Sequence, residues 1–392
     1  MHSRDLIEQY KTYVQDWRRY FHKHPELSNE EFETTKILAK ELESMGVEVH
    51  VDEERGTGLI GIIHGAKPGK AIALRADIDA LPVQEHNTFD FKSDVDGKMH
   101  ACGHDGHMAI LLGAAKMLTT MKDRIEGDVY LVFQPAEETG AGAPAFMKFG
   151  DWFEKVDAIF GGHVWIDLPA GLVSVEAGPR MAASSKITIN VKGKQGHGAQ
   201  PHQAVDAIVV ASAIVMNLQT VVSRNVSALD SLVITIGNIH SGSEWNVIPG
   251  EAQMGGTIRF FDPDKEEYYV ESIRRVVEYT ALAYGATAEL IYERKVPATI
   301  NDAAASELAE RVVIDTLGKE KLSKMRQVMP GEDFAWYLQE KPGCFAFIGI
   351  QNSEVGATFD HHNNRFTMDD SVLSAASAVY AEYAIQWLKV HK

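Results

Sequence analysis

The chain has 392 residues, enough for two domains, with 45% hydrophobic and 24% charged residues, the balance of an ordinary globular enzyme. Its formal net charge of −17 argues against nucleic acid or an anionic membrane as partner, because little here would neutralise phosphates. Two cysteines, Cys102 and Cys344, exclude a disulfide framework and point to a reducing, cytoplasmic setting; no apolar run reaches the length of a membrane span, and the N-terminus has no signal-peptide pattern.

In chain order, residues 5–21 and 31–45 carry helical spacing, with Gly46 as a stop. Short apolar runs at 59–64 and 71–75 read as strands, the second leading into the polar cluster RADIDALP. A helix is expected over 106–121, and strands over 128–134 and 156–164. Alternating helices and strands imply a mostly parallel sheet flanked by helices. From 181 the order changes to strand (186–192), helix (204–222), strands (231–240 and 251–261), helix (264–284) and strand (286–294), a split βαβ, ferredoxin-like α+β unit. The expected domains are therefore 1–180 with 294–392, and an inserted 181–293. A helix at 305–318, a strand at 344–350 and a helix at 370–389 complete the first domain.

The chemistry concentrates in MHACGHDGHM at 99–108, a glycine-rich loop with a thiol and imidazoles that leads into a helix. Arg75-Ala76-Asp77, Glu137-Glu138 and His163 each follow an apolar strand, and His361-His362 follows the strand at 344–350. Open α/β sheets bind ligands at the carboxyl ends of strands, so these residues make one cleft. A lone histidine is more often a structural or surface residue, and a Glu-Glu pair is usually a solvated loop. The coincidence of Cys, His and Glu at strand ends favours a site. Two divalent ions need roughly five or six protein ligands; they polarise a carbonyl and acidify a water. A carboxylate outside the ligand set must then move the proton to a leaving amine. Adjacent Glu137 and Glu138 can divide those tasks, and the chemistry is amide hydrolysis.

HACGHDGHM, with LRADIDALP before it and QPAEE after it, resembles the metal-dependent M20 amidohydrolases and peptidases, nearest the branch of N-acyl-amino-acid hydrolases, hippurate hydrolase and auxin-conjugate hydrolases. The resemblance continues through HxHPEL at 22–27, GHV at 162–164, GKQGHGAQPH at 193–202, NVIPGEAQMGGTIR at 246–259, GEDF at 331–334 and HHNN at 361–364. It implies that Cys102, His104, Glu138, His163 and His362 hold two divalent ions (zinc, manganese, cobalt or nickel) and that Glu137 is the general base. It implies that Asp77 and Asp105 orient histidines, and that His100, His107 and His361 are not ligands. In the inserted domain it implies that His197 stabilises the oxyanion, often across a dimer, while Asn246 and Arg259 grip the substrate carboxylate. The inserted domain is thus a lid and dimerisation module, and the assembly a homodimer or higher homo-oligomer. One departure is HVWIDLPAG at 163–171, where a plainer HVxPxxPxG is expected; it reads as a changed pocket wall. The expected substrate is an N-acyl-L-amino acid, with a dipeptide or carboxypeptidase substrate as the alternative. A catalytically silent binding protein is disfavoured, because no ligand or base is missing.

Overall fold

The computed structural model describes residues 1–391. The chain divides into two compact units. One comprises residues 1–180, 300–326 and 333 onward; the other comprises 181–299 and 327–332. The strands that matter below are β1 (Glu48–Val51), β2 (Leu59–His64), β3 (Lys67–Asp77), β4 (Glu126–Gln134), β5 (Ala158–Pro169), β6 (Val173–Ser174), β7 (Ala183–Lys192), β8 (Leu232–Ser241), β9 (Glu251–Phe260), β10 (Thr287–Val296) and β11 (Gly343–Gln351). The longer helices are α1 (Ile7–Lys23), α2 (Phe32–Ser44), α3 (His104–Thr120), α4 (Ala207–Thr220), α5 (Glu266–Ala283), α6 (Ala303–Leu317) and α7 (Leu373–Val390).

The first unit is mixed α/β. Its seven-stranded sheet runs β1-β2-β4-β3-β5-β11-β6. The central strands β4, β3, β5 and β11 are parallel, and the flanking pairs are antiparallel. The parallel strands are buried on both faces, which is why they read as continuous apolar runs and not as alternating ones. Helix α3 is buried almost all round, among α1, α7 and β3. Its run AILLGAAKML therefore shows little amphipathic bias. The helix starts abruptly because Gly103 sits at φ +95°, a left-handed conformation. A Cβ there would also lie 2.4 Å from Val164 Cγ2, so only glycine fits.

The second unit holds an antiparallel sheet in the order β8-β9-β7-β10, with α4 and α5 as its helices, which is the split βαβ arrangement. Strand β10 stays paired to β7 as far as Val296↔Ser184, so residues 294–299 cluster with this unit. The segment 327–332 returns to it: Ala182 N–H donates to the Val328 carbonyl at 3.1 Å, and Arg259 Nη1 to the Met329 carbonyl at 3.4 Å. Asp206 caps α4 by accepting from the amides of Ile208 and Val209. Ala207, Val210, Ala211, Ile214 and Leu218 form its buried stripe. Contrary to the expectation from sequence, α4 with the following turn to Asn225 is long and apolar enough to cross a membrane by length and composition alone. Its mean hydropathy is 1.5 and 33% of it is buried. Here it packs on β9 and α5.

Candidate functional site

The site in the first unit begins with a mismatch in strand lengths. Strand β3 pairs with β5 only from Ile72↔Ala158 to Leu74↔Phe160, whereas β11 accompanies β5 from Ile159 to Pro169. Beyond Phe160, no strand among the described residues pairs with β5 on its β3 side. His163 was expected just after a strand; it lies in the middle of β5, because β11 extends the pairing. The open edge of β5 is satisfied by imidazoles instead of backbone. Val164 N–H donates to His107 Nε2 at 2.9 Å, and Ile166 N–H to His361 Nε2 at 3.4 Å. Through their Nε2 atoms His107 and His361 thus support the open edge of β5.

The donors gather at this opening. One ligand atom each from Cys102, His104 and His163 lie within 4.8 Å of one another. The same holds for Cys102, Glu138 and His362, and for His104, Glu137 and Glu138. Cys102 Sγ is 3.4 Å from His163 Nε2. Glu138 Oε1 is 4.0 Å from His104 Nε2 and 3.5 Å from His362 Nε2. Two of these atoms, His104 Nε2 and Glu138 Oε1, are buried without a hydrogen-bond partner. Buried polar atoms are normally paired, so unpaired lone pairs converging with a thiol and two more imidazoles fit a divalent cation. The hydrogen bonds on the far side agree. His104 Nδ1–H donates to the Asp79 carbonyl (2.9 Å), with Asp79 Oδ1 at 3.1 Å, and His163 Nδ1–H donates to the Val164 carbonyl (2.6 Å). Each ring therefore presents the Nε2 lone pair inward.

The carboxylate loop after β4 is held from three sides. Ala136 adopts φ +58°, and His362 likewise takes φ +65°. A non-glycine residue there costs about 1–2 kcal/mol, so the surroundings must enforce it. Ala136 N–H donates to Glu31 Oε1 at 2.9 Å, and Glu138 N–H to Asp79 Oδ2 at 3.1 Å. Asp333 N–H donates to Glu137 Oε1 at 3.2 Å. Beneath this loop Arg75 bonds Asp77 (2.7 Å), Asp333 (2.9 Å) and Gln134 (2.9 Å), all fully buried. Removing one partner from such a network strands a charge, at roughly 3–5 kcal/mol.

The field at the site suits a cation. Burial pushes the Cys102 thiol well up, and Glu138, Glu137 and Asp77 push it further. Burial opposes a charge on His104, but Asp77, Asp79 and Glu138 outweigh it and raise the imidazole to about 10. An environment that so favours positive charge on His104 also suits a cation, which would take the Nε2 lone pair in the proton's stead and would draw out the Cys102 thiolate.

Residues 73–386 match the family described as Peptidase family M20/M25/M40. The chain belongs to the M20 family. It is 41% identical over 387 residues to an N-acetylcysteine deacetylase of Bacillus subtilis, covering 98% of this chain and 99% of that one. It is 38% identical over 393 residues to thermostable carboxypeptidase 1 of Saccharolobus solfataricus, with coverage of 98% and 99%. Among solved structures, a dinuclear metal binding peptidase of the M20 family from Bacillus subtilis superposes with a TM-score of 0.87 at 37% identity, covering 97% and 99% of the two chains. The protein is thus an M20 hydrolase acting on amides, of a metal-dependent family, in the branch that holds N-acyl-amino-acid hydrolases.

Other members of the expected set lie elsewhere. Asp77 does orient a histidine, but that histidine is His107, at 2.5 Å. Asp105 accepts from His22 Nδ1 at 2.8 Å and pairs with Arg18 at 3.0 Å. Asp79, which orients His104, escaped the sequence reading, although RADIDALP presents two aspartates two positions apart on one strand exit. In the second unit, His197 pairs with Val247 across the two-residue strands Gly196–His197 and Val247–Ile248. Gly198 N–H bonds the Asn246 carbonyl at 2.8 Å, so His197 and Asn246 are neighbours. Ala199 N–H donates to His197 Nδ1 at 3.0 Å, which puts the proton of the neutral ring on Nε2, and the residue is exposed. Arg259 lies half-buried on β9.

Proposed function

We propose that this M20 hydrolase cleaves the amide of N-acyl-L-amino acids, using two divalent cations held by Cys102, His104, Glu138, His163 and His362. The observation that carries this reading is the convergence of those donors, two of them buried with unshared lone pairs, beside a carboxylate that hydrogen-bonds elsewhere. When bound, the cations would acidify a water and polarise the substrate carbonyl. Glu137, steadied by the Asp333 amide, takes the proton of that water and hands it to the leaving amine. His197 offers its Nε2–H to the oxyanion, and Asn246 and Arg259 bind the carboxylate of the amino acid. The N-acetylcysteine deacetylase relative supports an acyl substrate.

The carboxypeptidase relative favours a second reading, hydrolysis of a peptide bond at the same centre. Metal analysis of the purified protein, combined with a panel of N-acetyl and N-benzoyl amino acids and dipeptides, separates the two. We expect two ions per chain and kcat/KM at least about tenfold higher on N-acyl amino acids. A preference for dipeptides, or for C-terminal residues of longer peptides, overturns the substrate assignment.

The inserted unit leaves Val209, Met216, Tyr279 and Leu282 exposed at 48%, 70%, 65% and 64%, which supports a homo-oligomer formed through it. Light scattering tests that: a monomer at micromolar concentration is the contrary result. Two free cysteines, one within the donor set, support a reducing, cytoplasmic setting.

A further inference from the structure

Glu31 stands just before α2, far in sequence from every donor, and none of its surface is exposed. One carboxyl oxygen accepts the Ala136 N–H at 2.9 Å; the other, Oε2, is buried without a hydrogen-bond partner. Burying a carboxyl group is costly, and the Ala136 amide is the one partner from another part of the chain that its side chain holds by a hydrogen bond of good geometry. Ala136 is the residue whose left-handed backbone turns the chain out of β4 and presents Glu137 and Glu138 in succession. Its own position is tight: the Ala136 carbonyl takes Thr139 Oγ1–H at 2.8 Å, and a Cβ on Gly142 would fall 2.7 Å from that carbonyl. Glu31 is itself anchored, since its carbonyl accepts Thr35 N–H (3.0 Å) and Oγ1–H (2.7 Å), and Thr35 Oγ1 accepts Gly58 N–H (2.9 Å).

We propose that Glu31 is a positioning residue for the reaction: by holding the Ala136 amide it keeps the 135–138 turn left-handed and so sets the angle between Glu137 and Glu138. This rests on the reading of those two glutamates as base and ligand. The pairing of amide and acceptor has a distinctive consequence. Where the acceptor is lost, the turn relaxes, because alanine disfavours φ +58°. Glycine accepts that φ without help, so it should make Glu31 dispensable.

The test compares Glu31→Met, which keeps the volume and loses the acceptor, with Glu31→Gln, which keeps both. Glu31→Met should lower kcat about tenfold or more, with KM and bound metal within about twofold, since displacements of an ångström at a catalytic group have such effects. Glu31→Gln should stay within about threefold of the parent. Glu31→Met combined with Ala136→Gly should recover most of the loss. Full activity in Glu31→Met, or no recovery on adding Ala136→Gly, overturns the proposal. Hydrogen exchange of the metal-loaded protein gives a readout apart from turnover. The 133–140 segment should exchange faster in Glu31→Met and as in the parent in Glu31→Gln. If Glu31→Met does not fold, unprotected exchange of that segment in Glu31→Gln overturns the proposal and parent-like protection supports it. A fully active Glu137→Gln would instead overturn the assignment of the base, leaving the exchange result intact.

Discussion

Asp79 joins two donors that come from different parts of the chain. Its carbonyl and one carboxylate oxygen fix the His104 ring, and its other oxygen accepts the Glu138 amide and the Ser28 hydroxyl. Asp79→Ala should therefore weaken metal binding about 10- to 100-fold, as loss of such outer partners does, measured by competition against a chelator. Unchanged affinity would show that the two donors need no common support. Glu137→Gln should behave differently. It keeps the shape and the Asp333 hydrogen bond and loses the basicity, so bound metal should equal the parent's while kcat falls about 10³-fold. Near-parent turnover would remove Glu137 from the proton path. Cys102, His104, Glu137 and Glu138 stood out in the sequence because their residue types are rare in such density and lie at strand or helix boundaries. Asp79, Glu31 and Asp333 did not, because an acid that binds a backbone amide looks like any loop acid until the amide it binds is known.

Helices and strands were legible where burial imposes a period or an unbroken apolar run bounded by turn residues. The two-residue strands at 196–197 and 247–248 have too few residues to show one, and the extension of β5 beyond Val164 depends on β11, almost two hundred residues later. The closing helix α7 illustrates what pairing adds to periodicity. Glu382, on its buried face, takes two bonds from Arg124 (2.7 and 3.0 Å) and lies 3.2 Å from Ser3 Oγ. Burial works against its charge, but Arg124 and Gln386 outweigh burial and lower its pKa to about 2. A carboxylate normally titrates near 4.3, so the unfolded chain takes up the proton first. The pair's contribution is complete above about pH 5 and is lost as pH falls towards 2. Glu382→Gln should lower Tm at pH 7 and lose less between pH 5 and 3 than the parent does. Parallel Tm profiles for the two proteins would refute the linkage. The pair is partly open to solvent, so a modest shift is expected.

At the scale of the molecule, each unit carries its own core, and the proposed metal ligands all belong to one of them. Removing the ions should then destabilise that unit selectively. An ion present at a hundredfold excess over its Kd adds about 2.7 kcal/mol. At about 2 °C per kcal/mol for a domain of this size, chelation should lower the first unit's calorimetric transition by about 5 °C, reversed on re-adding metal. A shift confined to the inserted unit would contradict the ligand assignment. The split of the chain was visible in sequence as a change from alternating helix and strand to a ferredoxin-like order. The return of 327–332 to the inserted unit was not, because it rests on a few backbone hydrogen bonds that leave no pattern in residue type.

The spacing of the five donors along the chain also bears on biosynthesis. Cys102, His104, Glu138 and His163 leave the ribosome early, and His362 follows 199 residues later. At about 5–20 residues per second, the nascent protein spends roughly 10–40 seconds with four donors and no fifth. For most of that time β11 is also unmade, so β5 lacks the neighbour that extends its pairing, and Cys102 has yet to acquire its final neighbours. The complete set of proposed donors exists only once residue 362 has been made. Metal capture by the proposed ligand set in its final geometry therefore comes only after that point, and the earlier Cys102 thiol must reach it without being oxidised.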